Sequence, residues 1–153
     1  MVEAIASDYR FYSQTLNSQN TTVTEEEGGT PVKAAVPAPI GGGSSQNFSV
    51  VNGGTVITHP TFTIRGSGTN FLVQNITTGE SFNLNLTLLN NETVVINTYN
   101  RTAFKGTQNV FGSFDGDWMT LAKGTNIIVF NAQSGIGVNT RLTVEWRDAF
   151  LGL

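Results

Sequence analysis

The stretch Ser81-Phe82-Asn83-Leu84-Asn85-Leu86-Thr87-Leu88-Leu89 decides the fold. Side chains alternate between the two faces of a strand, so Phe82, Leu84, Leu86 and Leu88 share one face, and Asn83, Asn85 and Thr87 share the other. One face is dry and the other wet, as in an antiparallel sheet packed on one side only. Turn formers bracket the stretch, with Thr78-Gly79-Glu80 before it and Asn90-Asn91 after it. Residues 93–99 return the chain with Val94, Ile96 and Thr98 opposing Val95, Asn97 and Tyr99, and residues 101–104 follow between Asn100 and Lys105-Gly106. Each of these junctions has the form of a hairpin.

The same pattern extends outward. Upstream, residues 48–51, 55–58, 62–64 and 70–77 are expected to be strands, separated by Asn52-Gly53-Gly54, His59-Pro60 and Gly66-Ser67-Gly68. Downstream, a less regular stretch, 110–117, precedes expected strands at 118–121, 126–130 and 140–146, the last two flanking the loop Ser134-Gly135-Ile136-Gly137. Roughly nine or ten short strands in about 105 residues predict an all-β antiparallel sandwich of jelly-roll type, with a closed barrel as the alternative.

Composition agrees. The 153 residues include 21 Thr, 16 Asn and 17 Gly, and only 12% are charged. Thr suits a pleated, half-buried surface, and Asn and Gly suit turns. Eight Lys and Arg against eleven Asp and Glu give a net charge of −3, with the basic residues scattered singly, so nucleic acid is not an expected partner. The chain has no Cys, which removes disulfides, thiolate metal sites and thiol nucleophiles. The first eight residues lack the basic start and apolar run of a signal peptide, and no stretch approaches the roughly 20 apolar residues of a membrane helix.

Three segments are expected. Residues 1–24 form an extended amino-terminal arm; 25–46, with Glu25-Glu26-Glu27, Pro31, Pro37, Pro39 and Gly41-Gly42-Gly43, form a linker; 47–153 form the sandwich. Tyr9, Phe11 and Tyr12 give the arm an apolar character with no core of its own, so they are the candidates for contact with another chain.

Residues able to support catalysis are sparse, and the chain is not expected to be an enzyme. Glycoside hydrolysis needs two placed carboxylates, yet Glu80 and Glu92 fall in turns and Asp148 lies past the last strand. Asp115-Gly116-Asp117 is the one close acidic pair, and turn or cap chemistry accounts for it better than a calcium site, which needs six to eight oxygens. His59 is the single histidine, held extended by Pro60, and is expected to be a structural strand-end residue. No catalytic, cofactor or metal residues are therefore assigned. Trp118 and Trp146 are the candidates for stacking on a glycan, although each sits on an apolar strand where core packing is the simpler role.

Five stretches in order resemble the distal tail proteins of long-tailed bacteriophages. They are residues 8–16 (Asp-Tyr-Arg-Phe-Tyr-Ser-Gln-Thr-Leu); Thr77-Thr78-Gly79-Glu80 running into Leu84-Asn85-Leu86; Val94-Val95-Ile96-Asn97-Thr98 with Asn100-Arg101-Thr102; Asp117-Trp118-Met119-Thr120-Leu121 with Gly124-Thr125-Asn126; and residues 144–151, Val-Glu-Trp-Arg-Asp-Ala-Phe-Leu. The resemblance implies a galectin-like carboxy-terminal sandwich, with the arm as the exit of a tube-like domain that would precede Met1. It also implies a structural protein of the virion, made in the host cytoplasm and placed at the tail tip or baseplate hub. Its implied partners are tail-tube, tail-tip hub and receptor-binding proteins, with further copies of itself in a hexameric ring. A carbohydrate-binding module that contacts host surface glycans is the second expectation.

Overall fold

The computed structural model describes residues 10–22, 44–137 and 139–151. Among them, two facing antiparallel sheets form a sandwich. The first has five strands in the spatial order β10 (Phe114–Gly116), β6 (Glu80–Leu88), β5 (Gly68–Asn75), β11 (Gly124–Ser134) and β3 (Ser44–Asn52). The second has six, in the order β2 (Asn17–Thr22), β12 (Arg141–Trp146), β4 (Thr61–Arg65), β7 (Thr93–Asn97), β8 (Thr102–Lys105) and β9 (Gln108–Asn109). A separate ribbon pairs β1 (Arg10–Tyr12) with β13 (Ala149–Leu151). Both sheets keep two free edges, so the fold is an open sandwich and not a closed barrel.

The core lies where the alternation places it. Phe82, Leu84 and Leu88 are fully buried on β6, Leu86 packs against the cluster, and Asn83, Asn85 and Thr87 face water. From the opposite sheet come Phe62, Ile64, Val94, Ile96, Leu142 and Val144. Phe62 meets Phe82 edge to face across the interior, with ring centres 5.4 Å apart, while Phe71 and Phe130 stack within the five-stranded sheet at 6.0 Å. Such pairs add to the burial of apolar area.

Two expected strands are replaced by crossings between the sheets. Residues 55–58 and 118–121 are not strands; their β-type pairing is limited to the isolated bridges Val56 to Ala149 and Thr58 to Leu121. Both alternate apolar and polar residues, but that alternation is used to send Met119 and Leu121 inward from a loop. The strand expected at 70–77 ends at Asn75, whose carboxamide oxygen accepts the backbone N–H of Thr77 at 3.0 Å and turns the chain. The strand expected at 126–130 is longer than its apolar run, because β11 is central and paired on both sides.

The arm joins the sandwich directly. β2 completes one edge of the six-stranded sheet by pairing with β12, from Asn17 opposite Trp146 to Thr22 opposite Arg141. Most of the linker expected at 25–46 lies outside the described residues, and its last residues, from Ser44, begin β3.

Between β6 and β7, the backbone N–H of Leu89 donates to the Glu92 carboxylate at 2.7 Å, and Lys105 pairs with the same oxygen at 2.9 Å. The Leu89 bond first, and Lys105 second, hold the Glu92 carboxyl below its ordinary value of 4.5. Its folded-state value is depressed, so its contribution to the hairpin is present above that ordinary value and is lost as pH falls through the lowered one. An NMR titration should show Glu92 protonating below its ordinary value of 4.5, and Glu92→Gln should remove that acid-range change. For the core, Phe82→Ala should lower the unfolding free energy in urea by about 3–5 kcal/mol. Leu89→Ala, at an exposed position, should stay within about 0.5 kcal/mol.

Candidate functional site

Among the described residues, the polar chemistry of the interior goes into holding loops. Asn126 is fully buried, and its side-chain oxygen accepts from Ala122 N–H at 2.8 Å and from the Asn75 amide at 3.1 Å. Its amide nitrogen donates to the carbonyls of Ala122 at 2.8 Å and Gly124 at 3.0 Å. Asn75 also donates to the Thr120 carbonyl, and Glu80 accepts from both the backbone N–H and the hydroxyl of Thr120. The crossing from 117 to 124 is thus pinned at several points by side chains of the five-stranded sheet. Removing a partner from such a network leaves buried groups unsatisfied.

That crossing carries Trp118. Its ring lies nearly parallel to Phe114, with centres 4.0 Å apart, and Phe111 stacks beside it at 6.0 Å. Phe114 in turn stacks on Phe82 at 5.2 Å, so a line of four rings runs from the core to the half-exposed Phe111. Trp118 is half-buried. Trp146 is 6% exposed and its indole N–H donates to the Val51 carbonyl at 3.1 Å, so its ring is packing surface and offers no open face. Asp117 accepts the backbone N–H of Ser81 at 3.1 Å, which gives the Asp115-Gly116-Asp117 sequence a cap role. His59 stands half-exposed with its ring edge-to-face against Tyr99, centres 5.7 Å apart. Among the described residues, no three His, Cys, Asp or Glu side chains come together as a metal group, and no helix is long and apolar enough to cross a membrane.

The arm meets the end of the sandwich at a dense junction. Asp148 accepts from the Asn17 amide at 3.1 Å and from Gly53 N–H at 3.0 Å, and its carbonyl accepts Ser13 N–H at 2.8 Å. Arg147 donates to the carbonyls of Ser13 and Gln14. The Ala149 carbonyl accepts from both Thr55 and Val56. Gly54 lies so close that a Cβ there would fall 1.9 Å from the Ala149 oxygen, so only glycine fits.

Of the arm aromatics, Tyr9 lies outside the described residues. Phe11 stands opposite Phe150 in the ribbon, and the two are 40% and 38% exposed. Tyr12, the next residue along the strand, points to the other face and borders a cleft of about 240 Å³. The cleft is also lined by His59 and by Trp146, the latter a glycan-contact candidate from the sequence, and by Asn97, Tyr99, Glu145 and Arg147, which sequence reasoning did not mark. The available signal was the register: Glu145, Thr61 and Asn97 are direct neighbours across β12, β4 and β7.

An all-β sandwich whose polar interior serves loop architecture, and whose open features are aromatic contact surfaces, defines an assembly or binding module. Residues 53–150 match the family described as siphovirus-type tail component, C-terminal domain. The match spans well over half of the chain, which belongs to this family, the carboxy-terminal domain of phage distal tail proteins. No curated protein and no solved structure matches it. The chain is accordingly a structural component of a phage tail, located in the virion, and interacts with other tail proteins.

Asn126→Ala should destabilise the fold by about 3 kcal/mol, because it strands groups of Ala122, Gly124 and Asn75 together. Urea unfolding measures the loss. The near-UV circular dichroism of Trp118 should fall as well, since its loop loses its anchor.

Proposed function

We propose that the chain serves at the tail tip, as part of a distal tail or baseplate hub ring that fastens the tube to the host-recognition parts. The supporting observation is the β1 and β13 ribbon. Its Phe11 and Phe150 lie directly opposite each other, 40% and 38% exposed. Directly opposed aromatics form one apolar contact surface, and such a surface is suited to burial against another protein. The bonds of Arg147 and Asp148 keep the ribbon rigid before any partner arrives, which lowers the ordering cost of association.

Under this reading the amino-terminal arm leads from a tube-like domain into the sandwich, and copies assemble as a homo-oligomer, a hexameric ring by the family resemblance. The role is mechanical and not enzymatic. Glu80, Glu92, Asp117 and Asp148 are each engaged in holding backbone or neighbouring side chains, which is structural work and not general acid or base chemistry. Nucleic acid, membrane and cofactor have no part in it.

Imaging intact particles tests the placement: density for the sandwich should occur around the tail axis at the tip, and density elsewhere on the particle would overturn it. In solution, light scattering should report a symmetric oligomer for the chain. Phe11→Ser combined with Phe150→Ser should reduce its mass toward that of one copy with circular dichroism unchanged. An unchanged mass would remove the ribbon from the interface.

A further inference from the structure

We propose that the cleft between the arm and the six-stranded sheet is a binding site for a neutral glycan of one or two sugar rings. Its volume, about 240 Å³, lies just under the roughly 300–1,000 Å³ typical of pockets for drug-sized ligands, so it fits something smaller. Two exposed tyrosine rings border it: Tyr99 from the sheet side, 61% exposed, and Tyr12 from the arm, 37% exposed. An exposed aromatic face in a cleft suits a ligand that has an apolar face of its own together with polar edges, and a pyranose ring is such a ligand.

The polar groups select further. Glu145, Thr61 and Asn97 form one row across three adjacent strands, so a carboxylate, a hydroxyl and a carboxamide are presented at strand spacing over about 10 Å. These offer acceptors and donors in alternation, which matches a polyhydroxylated edge. Within the described residues, the Glu145 carboxylate, the Thr61 hydroxyl and the Asn97 amide nitrogen make no hydrogen bond to the protein, and so are available. The charges balance. Glu145 contributes one negative charge, and Arg147, whose guanidinium is bonded to the Ser13 and Gln14 carbonyls, contributes one positive charge that serves the wall. With His59 neutral the cleft carries zero net charge and its guanidinium is already engaged, so it favours a neutral ligand over a phosphate or another strong anion.

The site is compatible with the ribbon contact, because Phe11 and Tyr12 lie on opposite faces of β1. Either assignment can fail without the other.

The test is a titration of the full ¹⁵N-labelled chain with glucose, galactose, N-acetylglucosamine and maltose, read by chemical-shift perturbation. At least one saccharide should shift the amides around Asn97, Tyr99 and Glu145, with a millimolar dissociation constant. Tyr99→Ala, at an exposed position, should weaken that binding about tenfold or more, and Tyr99→Phe should retain it. Glu145→Gln should weaken it about threefold. Silence of the cleft amides toward all four sugars at tens of millimolar would overturn the proposal. So would saccharide shifts centred elsewhere that survive Tyr99→Ala, or shifts at the cleft produced equally by inorganic phosphate.

Discussion

The structure depends on satisfying backbone groups where the chain leaves one sheet for the other. A sandwich that, among the described residues, has no α-helix to cover its ends buries parts of its crossings, and each buried N–H or carbonyl needs a partner. Three buried asparagines meet that need. Asn52 donates to the Val56 and Leu121 carbonyls and accepts from Gly54; Asn75 caps the turn after β5 and reaches Thr120; Asn126 closes the 122–124 corner. Carboxamides suit this task because one group both donates and accepts without carrying a charge into the core. Since Asn75 and Asn126 are bonded to each other, the crossings are coupled and should loosen together.

That device explains which parts of the fold were legible. Residues 81–89 and 93–99 announce themselves, because burial on one face writes a period of two into the sequence. Residues 118–121 show a similar period for a different reason: a crossing that drops Met119 and Leu121 into the core on either side of Thr120 imitates a strand locally. Only the long-range bonds to Asn75, Asn126 and Glu80 distinguish the two, and those pairings are separated by up to 45 residues in the chain. The interaction surfaces were less legible still. Phe11 and Tyr12 stood out as apolar residues in a polar arm, whereas Tyr99, Asn97 and Glu145 became a group only through strand register. Trp146, prominent by residue type, is occupied with Val51.

Low charge has a consequence for assembly. The outward face of the five-stranded sheet carries Asn47, Ser49, Gln74, Asn83, Asn85, Thr87 and Asn131, with Asp115 at its edge. That face, which Val51, Leu72, Ile127 and Val129 share with the hydroxyls and amides, can be brought against a neighbour with far less desolvation penalty than one studded with ions. A protein that must exist first as a separate chain and then inside a particle gains from that balance.

Six consecutive residues bring these surfaces together. Glu145 faces the cleft, Trp146 anchors to Val51, Arg147 clasps the arm carbonyls, Asp148 bonds Asn17 and Gly53, the Ala149 carbonyl receives Thr55 and Val56, and Phe150 meets Phe11. Each residue is fixed by a different part of the molecule, so the segment cannot shift at one position without disturbing the others. A load applied to the ribbon therefore reaches the base of the cleft through only a few covalent bonds. Rigid connection, and not flexibility, is what a tail component needs if force or occupancy at one surface is to be felt at another, and the density of bonds between residues 145 and 150 supplies it.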